Sequence, residues 1–321
     1  MTRVVVFAYH DVGCMGIRTL KRLGIDVARV YTHEDDPGEK HWFGSVRKTC
    51  AEEGFVCTTA NPHLPEELAA IAKIGPDAIF SLYYRDMLKD SVLRCAKHGS
   101  FNLHGSLLPR YRGRAPVNWQ ILHGETQGGV TLHHMVKRAD AGDIVDQEAF
   151  DIGPNDTGVM VYENMLPAAE LVLRRSVYAV LDGSSPRIRQ MESKATYYGR
   201  RRPEDGLIDW NWCAEDVRNL VRAVTKPYPG AFTLVGSKPL MVWWAQHQGP
   251  PGEDDQDDCR VYAPRDAVPG QVIARGGYHV KCGDRRDVPL LCLVRVEFDG
   301  REGDPWTFPE LLRDGLILGG G

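Results

Sequence analysis

The feature that most constrains this chain is the run Arg3 to Tyr9, RVVVFAY, which is almost continuously apolar and rich in β-branched residues. A strand with one wet face alternates polar and apolar residues, whereas a strand covered on both faces does not. Uninterrupted runs of this kind belong to parallel sheets whose crossover helices pack above and below. After a turn at Asp11 to Gly16, Ile17, Leu20 and Leu23 fall on one helical face, and Asp26 to Thr32 reads as the next strand. That completes a βαβ unit.

The same alternation continues. Helices are predicted about Phe43 to Glu53 and Leu64 to Ile74, with strands at Phe55 to Thr58 and Asp77 to Leu82. A helix about Leu88 to Ala96, a strand at Gly99 to His104 and a helix at Ala115 to His123 follow. Strands at Gly129 to Val136 and Asp143 to Phe150 and a long helix from Thr157 to Leu181 close the series. The expected fold is α/β, a Rossmann-like, doubly wound, mostly parallel sheet. The polar loop His33 to Lys40, with the turn signal Asp35-Asp36-Pro37-Gly38, falls at the carboxyl end of the second strand, where such sheets place ligands.

Beyond this the pattern changes. The stretch GRRRPEDGLIDW at 199–210 is charged and turn-rich, and Ala214 to Val224 predicts a short helix. Gly230 to Val235, Leu240 to Ala245, Gly270 to Ala274, Gly277 to Cys282 and Pro289 to Phe298 are short apolar runs between Gly and Pro. They predict a small antiparallel β-barrel-like (OB-type) domain. We therefore expect two domains, 1–203 and 204–321, which suits a chain of 321 residues. The acidic stretch 247–258, containing GPPGEDDQDD, resists packing and is expected as an exposed loop.

Composition excludes several classes of function. A net charge of -4 gives no general attraction to phosphate backbones or anionic membranes, so neither nucleic acid nor membrane insertion is expected. The eight cysteines form no CxxC pair, which leaves no signal for a zinc knuckle or a redox dithiol; no metal site is expected. No apolar run reaches the roughly 18 residues of a membrane span, and MTRVVVFAYHD reads as a strand rather than a secretory signal. A cytoplasmic, reduced location is the expectation. Cys14, Met15 and Gly16 sit where a Rossmann phosphate loop would be, but GxGxxG is absent and no dinucleotide site is expected.

Chemistry concentrates in GSFNLHGSLLPRYRGRAP, residues 99–116. On a strand, Asn102 and His104 project to the same side while Phe101 and Leu103 enter the core. The loop after them, between Pro109 and Pro116, carries Arg110, Arg112 and Arg114. If the strand at 129–136 pairs beside 99–104, the turn KRADAGD brings Asp140 next to the histidine. Amide, imidazole and carboxylate together form a solution to acyl transfer. Amide and imidazolium donate to a tetrahedral oxyanion, and the carboxylate holds the imidazole and raises its pKa.

The run FNLHGSLLPRYRGRAPVNW, followed by HGETQGGVTLHHMVKRADAGDIV, resembles the folate-dependent formyltransferases. With VVVFAYHDVGCMGI, YTHEDDPGEKHWFGSV, SLYYRDML, TYYGRRRPEDG and VRAVTKPYPGAF, the likeness narrows to the formyltransferase part of bifunctional polymyxin-resistance enzymes. It spans residues 3–244 and fades through the acidic stretch and the last fifty residues. The resemblance implies transfer of a formyl group from 10-formyltetrahydrofolate to UDP-4-amino-4-deoxy-L-arabinose, a lipid A modification, with no metal. His104 is then the proton donor, Asn102 the oxyanion stabiliser and Asp140 the residue that raises the histidine's pKa. It implies formylfolate contacts from Asp86, Met87, Leu88, Arg114, Val136, Lys137, Arg138, Ala139 and Asp140, and leaves Arg110 and Arg112 as candidates for the substrate's phosphates.

Three alternatives remain: methionyl-tRNA formylation, hydrolysis of formylfolate, and a non-catalytic folate- or nucleotide-binding module. A homo-oligomer is compatible with each. The bifunctional enzymes also carry an oxidative decarboxylase domain, for which this chain leaves no room, so that step is expected of another protein.

Overall fold

The computed structural model describes residues 2–35, 42–247, 263–264, 266–274, 277–283, 290–309 and 313–319. Residues 36–41 of the predicted polar loop and 248–258 of the acidic stretch lie outside the described residues. The chain divides into two compact units, residues 1–117 with 126–152 and 161–200, and residues 118–125 with 153–160 and 201–321.

In chain order the elements are β1 (Arg3–Ala8), α1 (His10–Arg22), β2 (Asp26–Tyr31), α2 (Val46–Glu53), β3 (Cys57–Thr58), α3 (Pro65–Ile74), β4 (Ala78–Leu82), α4 (Asp90–Leu93) and β5 (Ser100–His104). There follow β6 (Arg112–Gly113), α5 (Pro116–Leu122), β7 (Gln127–His134), β8 (Ile144–Asp151), α6 (Gly158–Asp182) and β9 (Tyr197–Tyr198). The last are α7 (Ala214–Val224), β10 (Ala231–Val235), β11 (Lys238–His247), β12 (Val272–Ala274), β13 (Tyr278–Val280), β14 (Leu291–Phe298) and β15 (Arg301–Gly303).

The first unit is built on a seven-stranded sheet in the order β3-β2-β1-β4-β5-β7-β8. The first five strands are parallel, and β7 and β8 each run antiparallel to the neighbour before them. This is the Rossmann-like sheet the sequence predicts. Val4 to Ala8 of β1 are completely buried, as a strand covered on both faces requires. Chain order reverses between β1 and β4, so the crevice of such a sheet opens at their carboxyl ends, one strand from β5.

Two local expectations are corrected. The predicted turn at Asp11 to Gly16 is already helix, because α1 starts at His10. Its glycines serve close packing instead: a Cβ on Gly16 would stand 2.3 Å from Leu82 Cδ1, and one on Gly13 would stand 3.0 Å from Ala8 Cβ. The predicted helix at 88–96 shrinks to Asp90–Leu93. Bonds from Lys97 N to Pro76 O (2.9 Å) and His98 N to Asp77 O (2.8 Å) draw the chain off the helix and align β5 beside β4.

The second unit holds α7 and a six-stranded antiparallel half-barrel sheet in the order β10-β11-β14-β13-β12, with β15 on β14. Val217, Leu220, Val221 and Val224 of α7 are buried, spaced to give one apolar face. This is the smaller β-rich fold read from the short apolar runs.

The reversal after β7 sets the position of the residues that matter below. His134 N donates to Asp143 O (2.9 Å) and Met135 N to Ser100 O (2.7 Å), so the chain folds back tightly over residues 135–143. At Gly142 a Cβ would lie 1.8 Å from the His134 carbonyl oxygen. Backbone cannot yield there as a side chain could. Gly142→Ala should therefore cost about 2–3 kcal/mol, the range of an overpacked site that can relax only partly. Urea unfolding measures it, and an unchanged midpoint would show that the turn has slack.

Candidate active site

The site grows from the alternation of β5. Phe101 and Leu103 are buried, while Asn102 and His104 project to the opposite face. β7 pairs antiparallel to β5 with Asn102 opposite His133 and His104 opposite Thr131. The loop leaving β5 is pinned from β7 and β8. Thr131 Oγ1 donates to Ser106 O (2.6 Å) and accepts from Leu108 N (3.1 Å), and Gln147 Nε2 donates to Leu108 O (3.0 Å).

The turn after β7 returns Asp140 to this face in a left-handed conformation, φ +52°. Its Oδ1 lies 3.3 Å from Asn102 Nδ2, 3.4 Å from His133 Nε2 and 3.7 Å from His104 Nδ1; its Oδ2 accepts from Gly113 N at 2.8 Å. The structure thus brings Asn102, His104 and Asp140 together. Burial works to raise the Asp140 carboxyl, but the charge of His104, the hydrogen bond and charge of His133 and the Gly113 N–H outweigh it, holding the group well below the usual carboxylate range. On the far side of the imidazole, His104 Nε2 is 2.7 Å from Tyr111 O. A carbonyl only accepts, so Nε2 carries a hydrogen.

Arg112 requires a correction. As a candidate for substrate phosphates it would have to be accessible, yet it is completely buried. Its Nε and Nη2 donate to Gln190 Oε1 (3.0 and 2.7 Å), Nη2 pairs with Glu192 (2.8 Å), and Nη1 bonds Tyr197 Oη. Gln190 Nε2 in turn donates to the backbone oxygens of Asp140 (2.8 Å) and Gly142 (2.6 Å). A buried guanidinium is tolerable only when its donors are met in this way. The network clamps the strained turn that carries Asp140.

Sequence reasoning missed Gln190 and His133. The first acts at a distance of fifty residues through backbone atoms and leaves no local signal. The second was legible in principle, because the register of β7 against β5 puts it opposite Asn102.

The residues expected to meet formylfolate divide by burial. Asp86 and Met87 are exposed in the segment after β4, whereas the Leu88 side chain is buried in a core cluster with Val5, Phe7, Tyr31, Ile71, Ile79 and Val92, leaving its backbone for any ligand. Met135 packs against the same cluster, which brings the turn of Val136 to Arg138 near residues 86–88. Val136, Lys137 and Arg138 are exposed and Ala139 is half-buried. Arg138 pairs with Glu192 (3.2 Å) and lies 4.7 Å over the Tyr197 ring. Arg114 is exposed and donates to Arg85 O (3.0 Å). Arg110 is exposed, 5.3 Å over the Tyr111 ring. Among the described residues no group of three or more His, Cys, Asp or Glu is arranged to hold a metal ion.

The depressed Asp140 carboxyl makes stability depend on pH. A carboxyl held lower in the folded than in the unfolded chain, where it is about 3.9, stabilises fully above about pH 5, and the contribution is lost as pH falls toward the folded value. Urea unfolding from about pH 6 to about pH 3 should show a shallower loss in Asp140→Asn than in the unaltered protein. Parallel losses would remove Asp140 from the linkage.

Comparison with known proteins bears on this geometry. WlaRD, a sugar 3N-formyl transferase solved with dTDP and 5-N-formyl-THF, shares 18% identity over 94% of this chain and 99% of its own, with a TM-score of 0.64. The N-formyltransferase of Helicobacter canadensis, in complex with folinic acid and dTDP-3-aminofucose, shares 18% identity over 91% of this chain and 99% of its own, TM-score 0.66. The methionyl-tRNA formyltransferase of Clostridium thermocellum shares 16% identity over 77% of this chain and 94% of its own, TM-score 0.52. At such identities the likeness is one of fold. Residues 201–304 match the formyl transferase C-terminal domain, and residues 3–177, more than half of the chain, match the formyl transferase family itself, so the chain belongs to the formyltransferase family.

Proposed function

We propose that this protein transfers the formyl group of 10-formyltetrahydrofolate to the amine of a nucleotide-linked aminosugar. The observation that carries the reading is the meeting of Asn102, His104 and Asp140 at the end of β5 in a chain of this family. Relatives in complex with a formylated folate and a dTDP-linked aminosugar support the substrate class. The sequence resemblance to polymyxin-resistance formyltransferases favours UDP-4-amino-4-deoxy-L-arabinose as the acceptor and lipid A modification as the setting.

The chemistry is a proton-balanced exchange. The neutral amine attacks the formyl carbon, charge gathers on the carbonyl oxygen, and the carbon–nitrogen bond to the folate breaks. The new amide nitrogen gives up a proton and the departing folate nitrogen gains one. His104 is the proton carrier between them. Asp140, ionised beside it, offsets the charge of the imidazolium. Asp86, Met87, Arg114 and the turn 136–140, near one another at one edge of the site, are proposed to receive the folate, with the backbone of Leu88.

A transfer RNA acceptor, the chemistry of the methionyl-tRNA relative, would be held largely through its phosphates, which calls for a basic surface with steep salt dependence. The net charge of -4 and the acidic stretch at 253–258 argue for the smaller acceptor.

Purified protein, formylfolate and a panel of UDP- and dTDP-aminosugars, read by mass, should show one acceptor gaining a formyl group. Faster formylation of charged initiator tRNA, or formylfolate hydrolysis without transfer, would overturn the reading. With the preferred sugar, Asn102→Ala and His104→Ala should each lower turnover by about 10²-fold or more while the protein stays folded. Near-normal turnover in either would move the chemistry elsewhere.

A further inference from the structure

The resemblance gives Asn102 the part of a donor to the oxyanion, but the partners of its amide point to the opposite atom. Asn102 Nδ2 is 3.3 Å from Asp140 Oδ1 and 3.2 Å from His133 Nε2. Asp140, an ionised carboxylate, can only accept, which fixes the nitrogen rather than the oxygen of the amide toward it. His133 fixes the second hydrogen. Its Nδ1 is 2.9 Å from the His134 carbonyl oxygen, which also only accepts, so Nδ1 carries the hydrogen and Nε2 of the neutral ring presents a lone pair.

One protonation pattern then satisfies every contact: Asn102 gives one hydrogen to Asp140 and one to His133, and His104 keeps its hydrogen on Tyr111 O. Both amide hydrogens are spent. Among the described residues the amide oxygen has no protein partner, and it is not among the buried polar atoms left without one, so it faces the solvent of the site.

We propose that His133 is a positioning residue that turns the Asn102 oxygen toward the acceptor. Resting on the reading of the site as an aminosugar formyltransferase, the inference makes that oxygen an acceptor for an N–H of the attacking amine. A hydrogen bond there holds the amine with its lone pair directed at the formyl carbon. His133 is 2% exposed and its ring centroid is 6.4 Å from that of His104, so it acts through Asn102 and Asp140 rather than by touching substrate.

Two measurements test this. In 15N-labelled protein the side-chain amide pair of Asn102, identified by its disappearance in Asn102→Ser, should exchange with solvent at least about tenfold more slowly than an exposed asparagine, as two hydrogen bonds require. His133→Leu should release one of the two hydrogens. Fast exchange of the pair in the unaltered protein would overturn the proposal without reference to any substrate.

In turnover, His133→Leu should raise KM for the aminosugar about tenfold, the worth of one hydrogen bond, and leave KM for formylfolate unchanged. His133→Gln, whose amide oxygen can stand in place of Nε2, should recover most of the loss. A fall in kcat alone, with the aminosugar KM unmoved, would overturn the proposal and return Asn102 to the oxyanion. Protected amide hydrogens in a protein that formylates no aminosugar would instead overturn the functional reading, and with it the acceptor's part in this one.

Discussion

The site depends on a single carboxylate. Asp140 faces two imidazoles, one amide and one backbone N–H, and it does so from a left-handed backbone conformation that a non-glycine residue rarely adopts. Such a conformation persists only when its surroundings over-determine it. Here they do. Gln190 bonds the backbone on both sides of the turn, Arg112 holds Gln190, and Gly142 lets the returning chain pass against His134. The buried arginine belongs to the support of the turn, and the turn belongs to the support of the carboxylate.

Much of this fold is legible in the sequence because the constraint is local. The unbroken apolar run of β1 announces a strand covered on both faces, and the period of two in Ser100 to His104 correctly separates Phe101 and Leu103 from Asn102 and His104. Where the reading failed, the reason was contact with something distant. Gly13 and Gly16 look like turn residues until Ala8 and Leu82 are seen pressing against them. Arg112 looks like a surface cation until Gln190 and Glu192, some eighty residues on, close over it.

The site shows the same division. Asn102 and His104 are two residues apart on one strand, so any reading of the strand finds them. Asp140 could be reached only by supposing that β7 pairs beside β5, a supposition the register bears out. His133 follows from that register and from nothing nearer in the chain. Its hydrogen bond to the carbonyl of the next residue sets its tautomer, and the tautomer decides which end of an amide two residues across the sheet is turned outward. A bond within one strand thereby fixes a polarity on its neighbour.

The residues gathered here sit on two kinds of support. Asn102, His104 and His133 stand on paired strands in the middle of a sheet, while Asp86, Met87, Arg114 and Val136 to Arg138 stand on the segments that leave those strands. Strands in such positions tolerate little displacement, and connecting segments tolerate a good deal. Change in the second group can therefore reshape what the site admits while the proton-handling atoms keep their spacing. A lineage built on this arrangement is free to exchange its clientele without relearning its chemistry.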